Sequence, residues 1–219
     1  MDALVAFAAA LLSFRLAGLL AARWRASRRP ELLAWAAGLA AYAIAAGAIA
    51  WGQAHGWDGR AFRVYYAAGG LLTAPLLGAG SLLLAGWRKG AAVALVYTGL
   101  AIGISLAMPL HGAFVGSGIP HAQDHLAFLP ARLLAILANS LGTLAVVGVA
   151  LRSIRKRPLG NSLIVAGITA AAIGSGLAGL GAAGSAIGIA VGAALLYAGF
   201  VSPPRLTAIF RPRASVKSP

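Results

Sequence analysis

Apolar residues run along this chain in seven long blocks, near residues 3–22, 32–52, 64–86, 90–109, 131–151, 159–180 and 185–202, separated by short polar segments. Each block holds about 18–23 residues, and at 1.5 Å of rise per residue a helix of that length spans a hydrocarbon layer of ~30 Å. A helix pairs its backbone groups internally, as lipid demands, since lipid offers no hydrogen bonds of its own. The pattern predicts an all-α polytopic membrane protein of about seven transmembrane helices within residues 1–204, followed by a basic cytoplasmic tail at 205–219.

Composition agrees. Hydrophobic residues make up 60% of the 219-residue chain and charged residues 10%, too few polar groups to cover a water-soluble globule. The formal net charge of +14 raises nucleic acid as a partner. Here, however, the basic residues cluster between spans, as they do in loops that stay on the cytoplasmic side of a membrane, so no nucleic acid is expected. Membrane lipids are the expected surroundings. Cysteine is absent, which excludes disulfides, thiolate metal sites and cysteine nucleophiles.

The positions of the charges also orient the bundle. Arg23, Arg25, Arg28 and Arg29 follow the first span, Arg88 and Lys89 the third, Arg152, Arg155, Lys156 and Arg157 the fifth, and Arg205, Arg211, Arg213 and Lys217 the seventh. Only Arg60 and Arg63 lie at the opposite ends, with Arg15 and Arg132 inside spans. The positive-inside bias then predicts a multi-pass protein of the cell membrane with its N-terminus outside and its C-terminus in the cytoplasm. The first span opens on Met1-Asp2 without a basic leader, so it reads as a retained helix rather than a secretory signal. Trp51, Trp57, Phe62, Tyr65 and Tyr66 are expected as anchors of the outer boundary, and Trp24 and Trp87 of the inner one.

Two patterns bear on packing. Arg28-Arg29-Pro30 after span one matches Lys156-Arg157-Pro158 after span five, and Ala67-Ala68-Gly69-Gly70 resembles Ala182-Ala183-Gly184-Ser185. Spans one to three and five to seven would then be parallel copies joined by span four, a 3+1+3 repeat. The last two spans carry Gly174, Gly176 and Gly179, then Gly184, Gly188 and Gly192 at every fourth position. Such small-residue stripes let helix backbones approach closely, predicting a tight pair of spans six and seven or an oligomer built through the same faces.

Candidate chemistry falls in two places. All four histidines lie in the outer loops, and His121, Asp124 and His125, with His111 upstream, form a donor set spaced as on one helical turn. A divalent metal such as zinc is the cofactor it would hold, and external pH is what it would otherwise sense. An ordinary solvated loop accounts for the same residues. Near the predicted midplane lie Tyr42, Thr73 followed by Pro75, Tyr97 with Thr98, and Asn139 with Ser140 and Thr143. Asn139 is costly to leave unpaired in lipid and should face the interior. Pro75 frees a carbonyl one turn earlier, near Leu71. Arg15 lies eight residues before Arg23, about 12 Å deeper along the axis. No acid lies inside a span to neutralise it, so Arg15 would either snorkel to headgroups or face inward and attract an anion. Arg15, Tyr42, Thr73, Thr98, Asn139 and Ser140 are therefore the candidate substrate-binding residues.

The run Arg63-Val64-Tyr65-Tyr66-Ala67-Ala68-Gly69-Gly70, followed by Gly78-Ala79-Gly80-Ser81, resembles a recurring segment of bacterial seven-helix membrane proteins of uncharacterised activity. The 3+1+3 layout is similar in architecture to SWEET and PQ-loop transporters, although the Pro-Gln pair that names the latter is missing. An opsin-like bound retinal is not expected, because Lys89, Lys156 and Lys217 all lie outside the spans. Three functions follow in order of preference: a transporter or channel for a small anionic or neutral solute, a non-transporting sensor or assembly subunit with an extracytoplasmic histidine loop, and a zinc-dependent membrane hydrolase. No catalytic constellation marks it as an enzyme.

Overall fold

The computed structural model describes residues 2–179 and 185–202. The basic tail at 205–219 and the Ala182–Gly184 part of the repeat motif lie outside the described residues. The chain is an all-α polytopic membrane protein. Helix α1 spans Asp2–Ser27, α2 Pro30–His55, α3 Gly59–Leu84, α4 Gly90–Ala107, α5 Leu133–Arg152, α6 Pro158–Gly179 and α7 Ser185–Val201. Among the described residues, six helices are long and apolar enough to cross a membrane; α7, with 17 residues, is shorter.

The breaks between helices have local causes. Pro30 and Pro158 open α2 and α6, where a missing N–H is harmless. The Asp58 carboxylate accepts from the Ala61 N–H at 2.6 Å and so caps α3. Gly86, at φ +97°, turns the chain after α3. At the same end as α3 begins, Arg63 donates to the carbonyls of Ser105 and Leu106 and so ties off the end of α4. At the other end, Arg157 donates to the Gly199 and Ser202 carbonyls, the second at 2.7 Å, and closes α7.

The helices form a ring. α1 packs on α2 and α7, α2 on α3, α3 on α5, α5 on α6 and α6 on α7, while α4 leans on α3 from outside. Glycines set the closest approaches: a side chain on Gly188 would strike Gly174, one on Gly192 would meet Ala171 and the Gly167 carbonyl, and one on Gly199 would meet Ile164 and Gly160. The small-residue stripe of α7 therefore meets α6 within the chain; Gly184 lies outside the described residues. A second crossing joins Gly78 of α3 to Gly142 of α5. Closely approaching backbones gain dispersion contacts that lipid tails do not supply as well.

Of the aromatics expected as a boundary belt, only some behave as one. Trp51 and Trp87 are exposed, and Trp51 stacks on His55 with ring centres 4.2 Å apart. Trp57, Phe62 and Tyr66 are instead buried in the core. A belt and a buried cluster look alike in sequence because both place aromatics at helix ends.

Candidate functional site

The centre of the site is a distortion in α3. Its residues Tyr66–Thr73 are wound as a π-helix, wider than an α-helix, immediately before Pro75. Proline supplies no N–H, so carbonyls one turn earlier lose their backbone donor. Two side chains from other helices take the vacant places. The Tyr97 hydroxyl of α4 donates to the Leu71 carbonyl, and the Asn139 amide of α5 donates to the Gly70 carbonyl and, at 2.8 Å, to Ala135 in its own helix. Thr73 donates within the π segment to the Ala68 carbonyl at 2.9 Å.

Beside this kink lies a cavity of about 270 Å³, bounded by α2, α3, α5, α6 and α7. Its polar lining is Tyr42, Tyr65, Thr73, Asn139, Thr143 and Ser175, and among the described residues no charged side chain lines it. Tyr42 crosses to α7 and donates to the Ile189 carbonyl at 2.6 Å. Apolar groups such as Ile49, Leu77 and Ile168 complete the wall. With its amide N–H groups committed to carbonyls, Asn139 keeps its carbonyl oxygen available; the Tyr42 and Thr73 hydroxyls, whose protons go to the Ile189 and Ala68 carbonyls, can only accept, and those of Tyr65, Thr143 and Ser175 can accept or donate. An arrangement of this kind orients a small molecule by hydrogen bonds without compensating any charge.

The candidate residues divide accordingly. Tyr42, Thr73 and Asn139 come together on the cavity. Thr98 bonds back to its own helix, to the Ala94 carbonyl at 2.7 Å, and Ser140 is exposed on the outer surface. Arg15 is also exposed and does not reach the cavity; its guanidinium lies 5.9 Å from the centre of the Tyr197 ring. Of the two directions expected for Arg15, inward toward an anion or outward to headgroups, the inward one is therefore corrected: its side chain is exposed and does not line the cavity that Asn139 faces. Tyr65 and Ser175 join the site unforeseen: the first read as a boundary aromatic, and the second sat within a glycine stripe that signalled packing only.

No family model, curated protein or solved structure matches the chain.

The end of the bundle at which α3 begins and α4 ends is closed by aromatic rings. Trp57 lies 5.7 Å from Tyr65, Phe62 lies 6.0 Å from Tyr66 and 5.4 Å from Phe114, and His125 stacks on Phe114 at 4.1 Å. His125 is buried, and its Nδ1 donates to the His111 carbonyl at 2.9 Å while the His111 N–H donates to the His125 carbonyl at 3.0 Å. His121 has extended backbone and precedes the single helical turn Ala122–His125 instead of forming part of it. His111 and Asp124 are exposed. Among the described residues, no three histidine or acidic side chains converge on a point where a metal ion could sit. The donor set His111, His121, Asp124 and His125 is thus not assembled: His125 is drawn into the aromatic cluster, where one ring nitrogen holds the loop closed.

Proposed function

We propose that this integral membrane protein crosses the cell membrane seven times and binds and passes a small uncharged solute through the five-helix cavity. The observation that carries this reading is the polar but charge-free lining, with Tyr42, Thr73, Asn139 and Thr143 around one space. An anion in such a space would give up its hydration without gaining a counter-charge, which disfavours it by several kcal/mol in a low-dielectric interior. A hydroxyl- or amide-bearing molecule would exchange its water for the hydroxyl groups and the Asn139 oxygen. The π segment before Pro75, held by single hydrogen bonds from Tyr97 and Asn139, supplies a place for α3 to bend during passage. The 3+1+3 resemblance to SWEET-type transporters is consistent with this reading as architecture alone.

The second reading, a sensor or assembly subunit, is favoured by the ordered histidine loop over the outer end. Because the chain has no cysteine, a single introduced thiol separates the two. Thr143→Cys should react with a membrane-impermeant methanethiosulfonate, while Ser140→Cys on the lipid-facing side should stay unreactive. Proteoliposomes containing the wild type should also equilibrate glycerol or erythritol faster than empty vesicles, and Asn139→Leu should slow that flux. A Thr143→Cys thiol inert from both sides, with no solute flux above background, means a dry cavity and leaves the sensor reading.

A further inference from the structure

A second concavity lies on the outside of the ring, between α3, α4 and α5, with a volume of about 420 Å³. It arises because α4 is fixed to the bundle at points: Arg63 holds one end, Tyr97 the middle, and the turn at Trp87 the other end. Only 17% of its apolar stretch is buried, the smallest share of any of the six spanning helices. Between Tyr97 and Trp87 the helix stands away from α5, and Leu82, Trp87, Val93, Ala94, Leu141 and Ala145 face the gap. The close crossing of Gly78 and Gly142 is part of its lining.

We infer that this groove seats one acyl chain of an anionic phospholipid, whose headgroup is held by Arg88 and Lys89. The groove is lined almost wholly by apolar groups, so water entering it would find too few polar partners. Left empty, its walls would forfeit dispersion contacts. From Gly90 to Tyr97 it runs along eight residues of helix, about 10 Å of rise, which fits within the ~15 Å of hydrocarbon in one leaflet. Its end is marked by Trp87 and Gly90, and the two residues between them in sequence are the exposed Arg88 and Lys89. No acid lies near them in sequence, so both charges are available to a phosphate. The apolar seat and the cationic clamp are the two halves that recognise a phospholipid, and they meet here at the depth where tail and headgroup join. A chain so placed rests on Pro75 at the kink of α3, which gives it a position from which to stiffen that hinge.

The test uses purified full-length protein, stripped of lipid and titrated with phosphatidylglycerol or phosphatidylcholine of identical chains, with binding counted by native mass spectrometry. The first phosphatidylglycerol should bind more tightly than the first phosphatidylcholine, and the preference should fall by about fivefold per charge removed in Arg88→Gln/Lys89→Gln. Arg23→Gln/Arg25→Gln, which neutralises a basic pair away from the groove, should leave the preference intact. Ala94→Trp should fill the groove and weaken first-site binding of both lipids. The loop variant lies on an exposed turn, so it remains informative even where the tryptophan disturbs folding. A preference that survives the loss of Arg88 and Lys89, or that falls equally without Arg23 and Arg25, overturns the proposal. So does a dimer that Ala94→Trp dissociates, since a second copy would then be the occupant.

Discussion

Pro75 shows how one residue organises its surroundings. By withholding an N–H it makes the Gly70 and Leu71 carbonyls dependent on Asn139 and Tyr97. Interhelical hydrogen bonds in membranes contribute about 0.6 kcal/mol on average and up to about 1.7, so Asn139→Leu and Tyr97→Phe should each destabilise the protein by roughly 1 kcal/mol in detergent unfolding. Because the two acceptors are adjacent on one π segment, the double variant should depart from additivity by at least about 0.5 kcal/mol. Strict additivity would mean that the two bonds are independent and the kink is held by something else. The need for such partners was legible in the sequence, since a proline frees a known carbonyl and an amide cannot face lipid unpaired. The identity of the pairs was not, because widening to a π-helix shifts which carbonyl is left over. Azimuth was lost in the same way: Asn139 and Ser140 share a depth but differ by about 100° around the helix, and one faces the cavity while the other is exposed. Arg15 is a further instance, its depth readable and its direction not.

At the scale of helices, small-residue spacing on α7 correctly pointed to a close partner, and the glycine contacts of α6 and α7 show how close. Gly192 has no room for a side chain, whereas Gly99 and Gly103 on α4 have nothing within 4 Å of the place a Cβ would occupy. Substitution should therefore have opposite signs. Gly192→Val forces α6 and α7 apart and should cost on the order of 1–3 kcal/mol, while Gly103→Ala removes backbone freedom from an open helical site and should stabilise by roughly 0.5–1 kcal/mol. Thermal unfolding of the two variants side by side decides the matter, and a harmless Gly192→Val would show that the contact is loose. The partner positions Gly160 and Gly167 do not stand out in the sequence, because they are seven residues apart among many other glycines. The helix ring α1–α2–α3–α5–α6–α7 maps onto itself when each of the first three helices is exchanged for one of the last three. A 3+1+3 repeat requires this, although a ring of sequential neighbours has the property whatever its ancestry.

For the whole molecule, hydrophobic block length was the most informative signal, because lipid permits so few backbone solutions that span length and fold class are nearly the same statement. Functional geometry was less legible, since a cavity is set by how helices rotate against one another, and period-3.6 patterns are blurred when the outside is apolar too. Charge predicts the orientation. The last residues of α1 and α5 and the turns after α1, α3 and α5 share one end of the bundle and carry Arg23, Arg25, Arg28, Arg29, Arg88, Lys89, Arg152, Arg155, Lys156 and Arg157. The other end has Arg60, Arg63 and Arg132, the last just before α5, and Arg63 is occupied by the carbonyls of α4. Retaining a basic loop on the cytoplasmic side depends on the count of lysine and arginine near the span ends, so the α5–α6 turn should be cytoplasmic and the long α4–α5 loop external. Both offer exposed residues for substitution, Lys156 and Ser117, in a chain with no competing thiol. In intact cells an impermeant maleimide should modify Ser117→Cys, and it should reach Lys156→Cys only after the membrane is permeabilised. The reverse pattern would place the basic turns outside, against the charge bias, and would put the His125 cluster at the cytoplasmic mouth of the cavity instead of its outer one.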